Sequence, residues 1–384
     1  MHIAFMSSVI TDGNPTSGFE IANEAIVNGL RSLGHKVSVI GFSLPRQKKP
    51  EHEDVVVVEE LNLENAAVGL LQKVGFVAKA LKSGLPMSAS KLTVVSAKKL
   101  DDALASRGHI DCFIFNSYQM AAAFPHFLEK PFGFVAHNVE HLSARQNAKS
   151  ASSRLQRWLY GRDEKLLKKI EMELCDRAEY VWTLSQDDLE LLNISKNAGA
   201  VLPLVAPFQE VDAKRGSKDY DVGLIGTWSW EPNRVGLEWF LDHVAPKLSD
   251  DVRIAVAGKV PEGMMKYDER ISFLGRVESA TEFLDSVRVV PLISRGGTGV
   301  QLKTIEAFQA GLACVATSSS LRGIDMLPDN CARADDVEEF ASALTQQIDK
   351  SRNGTLPLSD GRQFYEKQFC SMQDALVKGL KTLT

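Results

Sequence analysis

The chain lacks several features that would place it in other classes of protein. Its five cysteines are odd in number and without metal-ligand spacing, which argues against a disulfide framework and a cysteine-ligated metal. No apolar run approaches the ~18 residues of a membrane-spanning helix, and the first residues lack the basic flank of a signal peptide. The net charge of −5 argues against general nucleic-acid binding. We therefore expect a cytoplasmic protein in which Cys112 and Cys314, both within apolar segments, are buried thiols.

Length and patterning predict two α/β domains. The 384 residues, 44% of them hydrophobic, suffice for two or three domains with cores of their own. Strand-length apolar runs alternate with helical patterns along residues 1–205, and the alternation restarts near residue 218. The intervening stretch PLVAPFQEVDAKRGSK has two prolines, a glycine and no periodicity, which is typical of a linker. The pattern predicts two doubly wound parallel sheets with helices on both faces.

The stretch PLISRGGTGVQLKTIEAFQAGLACVAT, residues 291–317, carries the most informative motif. An apolar strand enters a glycine-rich turn, and a helical pattern follows until Gly311. The N–H groups at such a helix start favour an anion, and Lys303 and Glu306 share one face of the helix. An ammonium can bind a phosphate there, and a carboxylate can accept hydrogen bonds from sugar hydroxyls. The alternative is an ordinary strand–helix–strand connection whose glycines only make the turn.

This stretch resembles the donor-binding segment of GT-B glycosyltransferases, particularly those of family four. Their K-x-x-E-A pattern is Lys303–Ala307 in this chain. The resemblance implies that Lys303 faces the donor diphosphate and that Glu306 contacts the ribose of a sugar nucleotide. Many relatives have another glutamate, separated from this one by seven residues, where this chain has Thr298. The turn residues that the resemblance assigns to the donor site are Gly297, Thr298 and Gly299.

The resemblance also implies a GT-B architecture, in which two Rossmann-like domains face a cleft. Residues 1–205 would form the acceptor-binding domain, and residues 218–355 the domain that binds the nucleotide sugar. A C-terminal helix, at about residues 362–384, would pack back onto the first domain. We expect the reaction to take place between the two domains.

The segment GLIGTWSWEPNRVGLEWF, residues 223–240, resembles the first strand-to-helix loop of the donor domain. In relatives, the backbone and basic side chains of this loop lie near the donor diphosphate. Arg234 matches such a base, whereas Thr227 stands where several relatives carry an arginine. The alternative is that Trp228 and Trp230 simply pack in a core. The residues assigned to donor binding here are Gly226, Thr227, Arg234 and, after the next strand, Lys259.

The motif GFVAHNVEH places polar residues directly after an apolar strand, where open α/β sheets bind ligands. Related enzymes often have a histidine after the matching strand, so the resemblance implies that His137 contacts the donor sugar. Glu140 can remove the proton of an acceptor hydroxyl if burial raises its pKa. Asp12, in a loop after the first strand, is the next catalytic candidate. The alternative is a helix-capping cluster, in which Asn138 caps and Glu140 favours the positive helix end.

No metal site is evident in the sequence. The Asp-x-Asp signature of other glycosyltransferases does not occur in a convincing place, and Asp187–Asp188 fits a structural role at a helix start. The resemblance implies that helix dipoles and basic side chains stabilise the leaving diphosphate. We therefore expect neither a metal nor a cofactor besides the nucleotide-sugar substrate.

Basic residues recur on two predicted helices, at about residues 64–82 and 90–106. Such a pattern can lie on an anionic membrane surface, near a lipid-linked acceptor at the inner face of the membrane. It is also typical of any half-buried surface helix. The residues concerned are Lys73, Lys79, Lys82, Lys91, Lys98 and Lys99.

These patterns and the resemblance to GT-B enzymes together imply a metal-independent glycosyltransferase of bacterial polysaccharide or glycoconjugate synthesis. It would move a sugar from a nucleotide donor to a hydroxyl of a sugar, a lipid-linked sugar or a protein. Two alternatives stay open. A sugar-nucleotide epimerase of similar architecture would need paired acid and base groups, and a non-catalytic sugar-nucleotide-binding partner would not need His137.

Overall fold

The computed structural model describes residues 1–11, 13, 15, 17–45, 47–48, 50, 52–63, 70–208, 218–265, 268–296, 299–357 and 359–383. For residues 70–73 and 232, the backbone alone is described. The predicted site residues Asp12, Gly297 and Thr298 lie outside the described residues, as do residues 209–217 of the predicted linker.

The chain separates into two compact units, the first comprising Met1–Leu204 and Phe369–Thr384. Its strands are β1 (His2–Ser7), β2 (Lys36–Ser43), β3 (Val55–Glu60), β4 (Cys112–Asn116), β5 (Phe132–Ala136), β6 (Tyr180–Thr183) and β7 (Gly199–Val201). Its helices are α1 (Gly18–Ser32), α2 (Leu70–Ser83), α3 (Met87–Leu92), α4 (Ala97–Ala105), α5 (Tyr118–Ala123), α6 (Glu140–Ser150), α7 (Arg154–Arg177) and α8 (Gln186–Leu191). Within the described residues, the strands form one parallel sheet in the order β3-β2-β1-β4-β5-β6-β7.

Local chemistry fixes the opening βαβ unit of this sheet. Helix α1 begins at a capping box, in which Ser17 Oγ accepts from Glu20 N at 3.3 Å and Glu20 Oε2 accepts from Ser17 N at 2.9 Å. Gly34, with φ of +83°, takes the left-handed backbone that ends the helix and turns the chain into β2. The strand order reverses between β1 and β4, which is where doubly wound sheets bind ligands.

The predicted single helix over residues 90–106 is wrong. Helices α3 and α4 are separate, because Ser96 starts a new helix by accepting from Lys99 N at 3.3 Å after two valines. Lys91 does not belong to an exposed basic face, since it is 7% exposed and its Nζ donates to Leu63 O at 2.7 Å. Lys91 is therefore not part of the predicted basic surface.

The second unit spans Val205–Gln368. Its strands are β8 (Tyr220–Ile225), β9 (Ile254–Ala257), β10 (Ile271–Gly275), β11 (Val287–Leu292), β12 (Ala313–Ala316) and β13 (Cys331–Arg333). Its helices are α9 (Glu231–Trp239), α10 (Ala280–Asp285), α11 (Leu302–Gln309), α12 (Val337–Arg352) and the start of α13 (Gly361–Leu380). Within the described part of the chain, the strands form a second parallel sheet in the order β10-β9-β8-β11-β12-β13. The prediction of two doubly wound parallel sheets is confirmed.

The end of α13 belongs to the first unit, where it packs against the sheet. Trp182 Nε1 donates to Ala375 O at 2.9 Å. Gly379 lies so close to the Trp182 ring that a Cβ there would stand 2.2 Å from Cζ2. A bulkier residue at this position would push the helix off the strand.

Two further sequence expectations bear on the fold. Cys112 and Cys314 are buried free thiols. Among the described helices, none is long and apolar enough to cross a membrane.

Candidate functional sites

The second unit brings together the two loops that the sequence assigned to the donor. They follow β8 and β11, which flank the point where the strand order reverses. Lys303 Nζ donates to Asn233 Oδ1 at 3.1 Å. Asn233 Nδ2 in turn donates to Thr227 O at 3.2 Å. The first turn of α11 is therefore tied through Asn233 to the loop after β8.

Lys303 and Glu306 lie on α11 in different degrees of contact with solvent. Lys303 is half-buried, and burial lowers the pKa of its ammonium. Glu306 is exposed as a whole, but neighbouring atoms crowd its carboxyl and raise its pKa by loss of water. Both charged groups are therefore partly desolvated. Partial desolvation strengthens the ionic hydrogen bonds that they could form with a bound ligand.

Hydroxyl groups from the loop after β12 hold the loop after β11. Ser320 Oγ accepts from Ser294 N at 2.9 Å and donates to Leu292 O at 2.7 Å. Thr317 Oγ1 donates to Ser294 O at 2.5 Å, and Thr304 Oγ1 donates to Ser320 O at 2.8 Å. These bonds fix the strand end and the helix start on either side of the glycine turn. Gly299, which is buried with φ of +76°, takes a backbone conformation that few other residues tolerate.

The loops after β8 and β9 approach each other closely at two glycines. Gly258 has φ of +101°, and a Cβ there would lie 2.1 Å from Gly226 O. Trp228 is 1% exposed and its Nε1 donates to Ala257 O at 2.8 Å, so this indole packs in the core. Trp230, by contrast, is 54% exposed. The packing alternative therefore describes Trp228 and not Trp230.

The remaining basic candidates of the second unit are more accessible. Arg234 forms an ion pair within α9, with 2.6 Å between its Nη1 and Glu238 Oε1. Lys259 is exposed at the end of β9. Thr227 is exposed as well, and its carbonyl makes the contact with Asn233. These side chains can reach a ligand without losing a buried partner.

In the first unit, a chain of buried hydrogen bonds links His137 to the ends of β1 and β4. His137 Nε2 donates to Asn116 Oδ1 at 2.7 Å, and Asn116 Nδ2 donates to Asn23 Oδ1. Asn23 Nδ2 donates to Ser7 Oγ at 3.0 Å and to Val9 O at 2.8 Å. The chain places the hydrogen on Nε2 of the imidazole and leaves Nδ1 as an acceptor.

His137 is held neutral in this position. Its side chain is buried, and desolvation lowers its pKa to about 4. The ring of Phe19 packs beside it, with 4.8 Å between the ring centroids. A neutral imidazole whose Nδ1 is an acceptor can take a hydrogen bond from a sugar hydroxyl.

Glu140 lies in the first turn of α6, beside a second carboxylate from α7. Glu171, which is 1% exposed, accepts from Glu140 N at 2.6 Å and from His141 N at 3.0 Å. Its Oε2 also lies 2.7 Å from His141 Nδ1. Glu171 is therefore the residue that caps α6, a role that the sequence alternative gave to Asn138.

Burial and neighbouring negative charges raise the pKa of Glu140 to about 7. Desolvation is the larger cause and the charge of Glu171 the second, with Asp188 adding to them and a hydrogen bond from Asn138 opposing them. A carboxyl group with this pKa exchanges protons near neutrality, which is what a general base requires. The sequence hypothesis that burial raises the pKa of Glu140 agrees with this geometry.

Sequence reasoning missed several residues of these sites. Asn233, Asn116 and Glu171 each make contacts that span many positions in the chain. A strand-end signal exists for Asn116 alone, because it closes the apolar run CFIFN of β4. Within the described residues, no group of three or more histidine, cysteine or acidic residues is arranged to hold a metal ion.

Comparison with known protein families gives one match, which lies in the second unit. Residues 219–350 match the family model described as glycosyl transferases group 1. No curated protein matches the chain.

Solved structures resemble the whole chain at low sequence identity. Sucrose-phosphate synthase from Thermosynechococcus elongatus has a TM-score of 0.66 and 15% identity, covering 100% of this chain and 98% of its own. HepE from Anabaena in complex with UDP has a TM-score of 0.61 and 13% identity, covering 100% of both chains. A putative UDP-N-acetylglucosamine 2-epimerase from Listeria monocytogenes has a TM-score of 0.53 and 12% identity, covering 98% of this chain and 97% of its own.

The similarity to these structures identifies the fold as that of GT-B glycosyltransferases. The residues that match the family model include the predicted donor motif. The chain therefore has the GT-B fold, matches the group 1 glycosyltransferase model over residues 219–350, and resembles glycosyltransferase family four.

Proposed function

We propose that the protein transfers a sugar from a nucleotide-sugar donor to an acceptor hydroxyl. The observation that carries the proposal is the group 1 glycosyltransferase match over residues 219–350, within which Asn233 joins Lys303 to the loop after β8. Residues 218–355 would bind the donor and residues 1–205 the acceptor. The two motifs of the donor segment lie at one strand-reversal point, where doubly wound sheets bind nucleotides.

The donor would bind at the carboxyl ends of β8 and β11. Lys303 and Arg234 would face the diphosphate, and Glu306 would accept hydrogen bonds from ribose hydroxyls. HepE, which has the same fold, was solved with UDP, so uridine nucleotides are the first to test. The other proposed contacts of the donor are Gly226, Thr227, Lys259, Gly297, Thr298 and Gly299.

The reaction exchanges one bond at the anomeric carbon for another. The bond between this carbon and the diphosphate oxygen breaks, and its electron pair leaves with the nucleoside diphosphate. The acceptor oxygen bonds to the same carbon. Its proton passes to Glu140 if the configuration inverts, or to the departing diphosphate if it is retained. Asp12 is the next candidate for the base.

Two groups would stabilise the charges that develop. The ammonium of Lys303 and the first N–H groups of α11 can balance the leaving diphosphate, and we propose that no metal ion is required. His137 Nδ1 would accept a hydrogen bond from the donor sugar and orient it. The raised pKa of Glu140 supports its role as a base at neutral pH.

A second candidate function is the epimerisation of a sugar nucleotide. The Listeria protein of similar fold is a putative 2-epimerase. In this chain, the half-buried Glu140 and the buried Glu171 lie near enough for the charge of Glu171 to add to desolvation in raising the pKa of Glu140. Such a pair could exchange protons with one bound substrate. The group 1 match favours transfer over this alternative.

One experiment separates the candidate functions. The protein is incubated with UDP-, ADP- and GDP-sugars, with and without a panel of glycosides, and products are followed by ³¹P NMR. A transferase releases nucleoside diphosphate and increases that release when an acceptor is present. An epimerase gives an isomerised sugar nucleotide without release, and a binding partner changes neither. Absence of nucleoside diphosphate with every donor and acceptor would overturn the proposal.

A further inference from the structure

The first unit contains a cavity of about 340 Å³ at the carboxyl end of its sheet. It lies beside the end of β1 and the start of α1, and helices α3 and α5 close its other sides. This volume is within the usual range of small-molecule sites. The position is the strand-reversal point between β1 and β4, where doubly wound sheets bind ligands.

The described wall of the cavity is mostly apolar. Phe19, Leu44, Leu63 and Leu92 contribute side chains to it. Apolar surface of this kind is stabilised by covering it with apolar ligand atoms. A ligand that presents hydroxyls on every face would leave many of them without partners in such a wall.

The polar groups on the same wall are engaged within the protein. Lys91 Nζ donates to Leu63 O at 2.7 Å and lies 5.0 Å from the ring centroid of Phe76. Glu20 Oε2 is held by the capping box of α1. Gln119 Oε1 accepts from Ser117 Oγ at 2.5 Å. These contacts reduce the hydrogen-bonding capacity that the wall offers to a bare sugar.

Two side chains of the wall connect the cavity to the candidate catalytic residues. The Phe19 ring, on one side, packs beside His137. Ser88, on the other, is hydrogen-bonded to the hydroxyl of Tyr118, whose pKa is raised first by burial and then by the charge of Glu140. A molecule in the cavity would therefore contact Phe19, which packs beside His137, and Ser88, which is linked to the charge of Glu140 only through Tyr118.

We propose that this cavity binds an apolar aglycone of the acceptor, so that the acceptor is a glycoside or alcohol with an alkyl or aryl group next to its reactive hydroxyl. The inference rests on the proposed function and narrows the acceptor to an amphipathic class. The acceptor hydroxyl loses its proton and bonds to the anomeric carbon as described above. The aglycone itself stays chemically unchanged and only positions that hydroxyl.

The test compares n-octyl and 4-nitrophenyl β-glucosides with methyl β-glucoside, all below micellar concentrations. Calorimetry measures their binding to the full chain, and nucleoside diphosphate release measures their use as acceptors. We expect the octyl and aryl compounds to bind at least ~10-fold more tightly than the methyl compound, because only they fill the apolar wall. Equal binding of all three compounds would overturn the inference.

A cavity-filling variant tests whether the apolar aglycone binds in this cavity. Leu44→Trp, at a half-buried position on the wall, should reduce the octyl-over-methyl preference by about 10-fold. Leu155→Trp, at a position on α7 that is 64% exposed, makes the same chemical change away from the wall and should keep the preference. A preference retained in Leu44→Trp, with a wild-type melting temperature, would place the aglycone elsewhere.

The two proposals fail in distinguishable ways. If the octyl and aryl glucosides bind selectively but no donor releases nucleoside diphosphate, the proposed transfer is wrong and the apolar site stands. If donors are turned over and methyl glucoside is as good an acceptor as the octyl compound, transfer stands and the apolar acceptor class is wrong.

Discussion

Asn233 accepts a hydrogen bond from Lys303 across 70 positions of the sequence, at a distance of 3.1 Å. The contact joins the first turn of α11 to the loop after β8, because Asn233 also donates to Thr227 O at 3.2 Å. The loop after β8 and the start of α11 follow different strands of the sheet. This contact fixes them relative to each other before a ligand binds. Such preorganisation lowers the entropic cost of binding.

Replacing Lys303 tests this arrangement directly. Lys303→Ala should weaken the binding of a turned-over nucleotide donor by about 10- to 100-fold, the value of a charged hydrogen bond of about 1.5–3 kcal/mol. The loss should be larger at low ionic strength, because salt screens the attraction that the wild type has to lose. Isothermal titration at two salt concentrations measures both effects.

Two further variants show whether the effect is specific to the charge of Lys303. Asn233→Ala should weaken binding less and without salt dependence, because it removes a neutral positioning group. Lys247→Ala is the matched control, since this lysine pairs with Glu338 at the surface of the same unit. Wild-type affinity in Lys303→Ala would show that the donor diphosphate binds elsewhere.

The pKa of Glu140 leads to a prediction for the pH profile of turnover. A base with a pKa of about 7 is active when ionised, so the wild-type rate should fall as the pH drops through 7. Glu140→Gln should lower turnover by roughly 10²–10⁴-fold, keep donor affinity, and lose this acidic limb. Steady-state kinetics from pH 5 to 9 provide the measurement. An acidic limb that persists in the variant would assign it to another group.

His137 should be neutral throughout this pH range. Its pKa of about 4 keeps the imidazole uncharged at pH 5 to 9, with the hydrogen on Nε2. ¹⁵N NMR of the labelled ring should show the Nε2–H tautomer and no titration near pH 6.5. His137→Ala should reduce turnover, while His126→Ala, at a residue whose side chain is 39% exposed, should not. A His137 signal that titrates near 6.5 would contradict the buried hydrogen-bonded position.

The buried carboxylate of Asp221 should make the second unit sensitive to acid. Burial alone would raise its pKa, but hydrogen bonds from Arg352 and from Arg253 N, with the charges of Arg352 and Arg288, lower it below its ordinary value. A lowered native pKa stabilises the fold above the unfolded pKa of about 3.9, and that stability is lost as the pH falls through the native pKa.

The corresponding variant is Asp221→Asn. This substitution should lower the free energy of unfolding by about 1–3 kcal/mol at pH 7. The loss should be smaller than for breaking a fully buried ion pair, because both arginine side chains reach solvent. Denaturant unfolding at a series of pH values should show the difference from wild type shrinking on acidification. Asp325→Asn, at an exposed position, is the control. A constant difference between pH 7 and pH 3 would exclude the ionised carboxylate as its cause.

The fold was predictable from local signals, whereas much of each site was not. Strands such as CFIFN are continuous apolar runs, and Gly34 marks a helix end by its position alone. The separation of α3 from α4 was missed, because the break depends on one serine hydroxyl after β-branched residues. Edge strands of three residues, such as β7, are too short to show a pattern.

The sites depend on contacts that periodicity does not encode. Strand-end position indicated His137, since parallel strands gather their carboxyl ends at one edge, and the K-x-x-E-A pattern at a helix start indicated Lys303. The partners that tune them, Asn116 and Asn233, come from other elements of the fold. Burial is the larger cause of the raised pKa of Glu140, and the carboxylate that adds to it lies 31 positions along the chain, on α7. Only the folded chain brings such groups together.

The central claim is that a sugar leaves a nucleotide and becomes bound to an acceptor oxygen. Mass spectrometry of a reaction with a UDP-sugar and an amphipathic glycoside measures this most directly, with nucleoside diphosphate quantified in the same sample. We predict one equivalent of glycosylated acceptor for each nucleoside diphosphate formed in its presence, and about 10- to 100-fold less of both products with Lys303→Ala at low donor concentration. An acceptor that stays unmodified with every nucleotide sugar supplied would contradict the account.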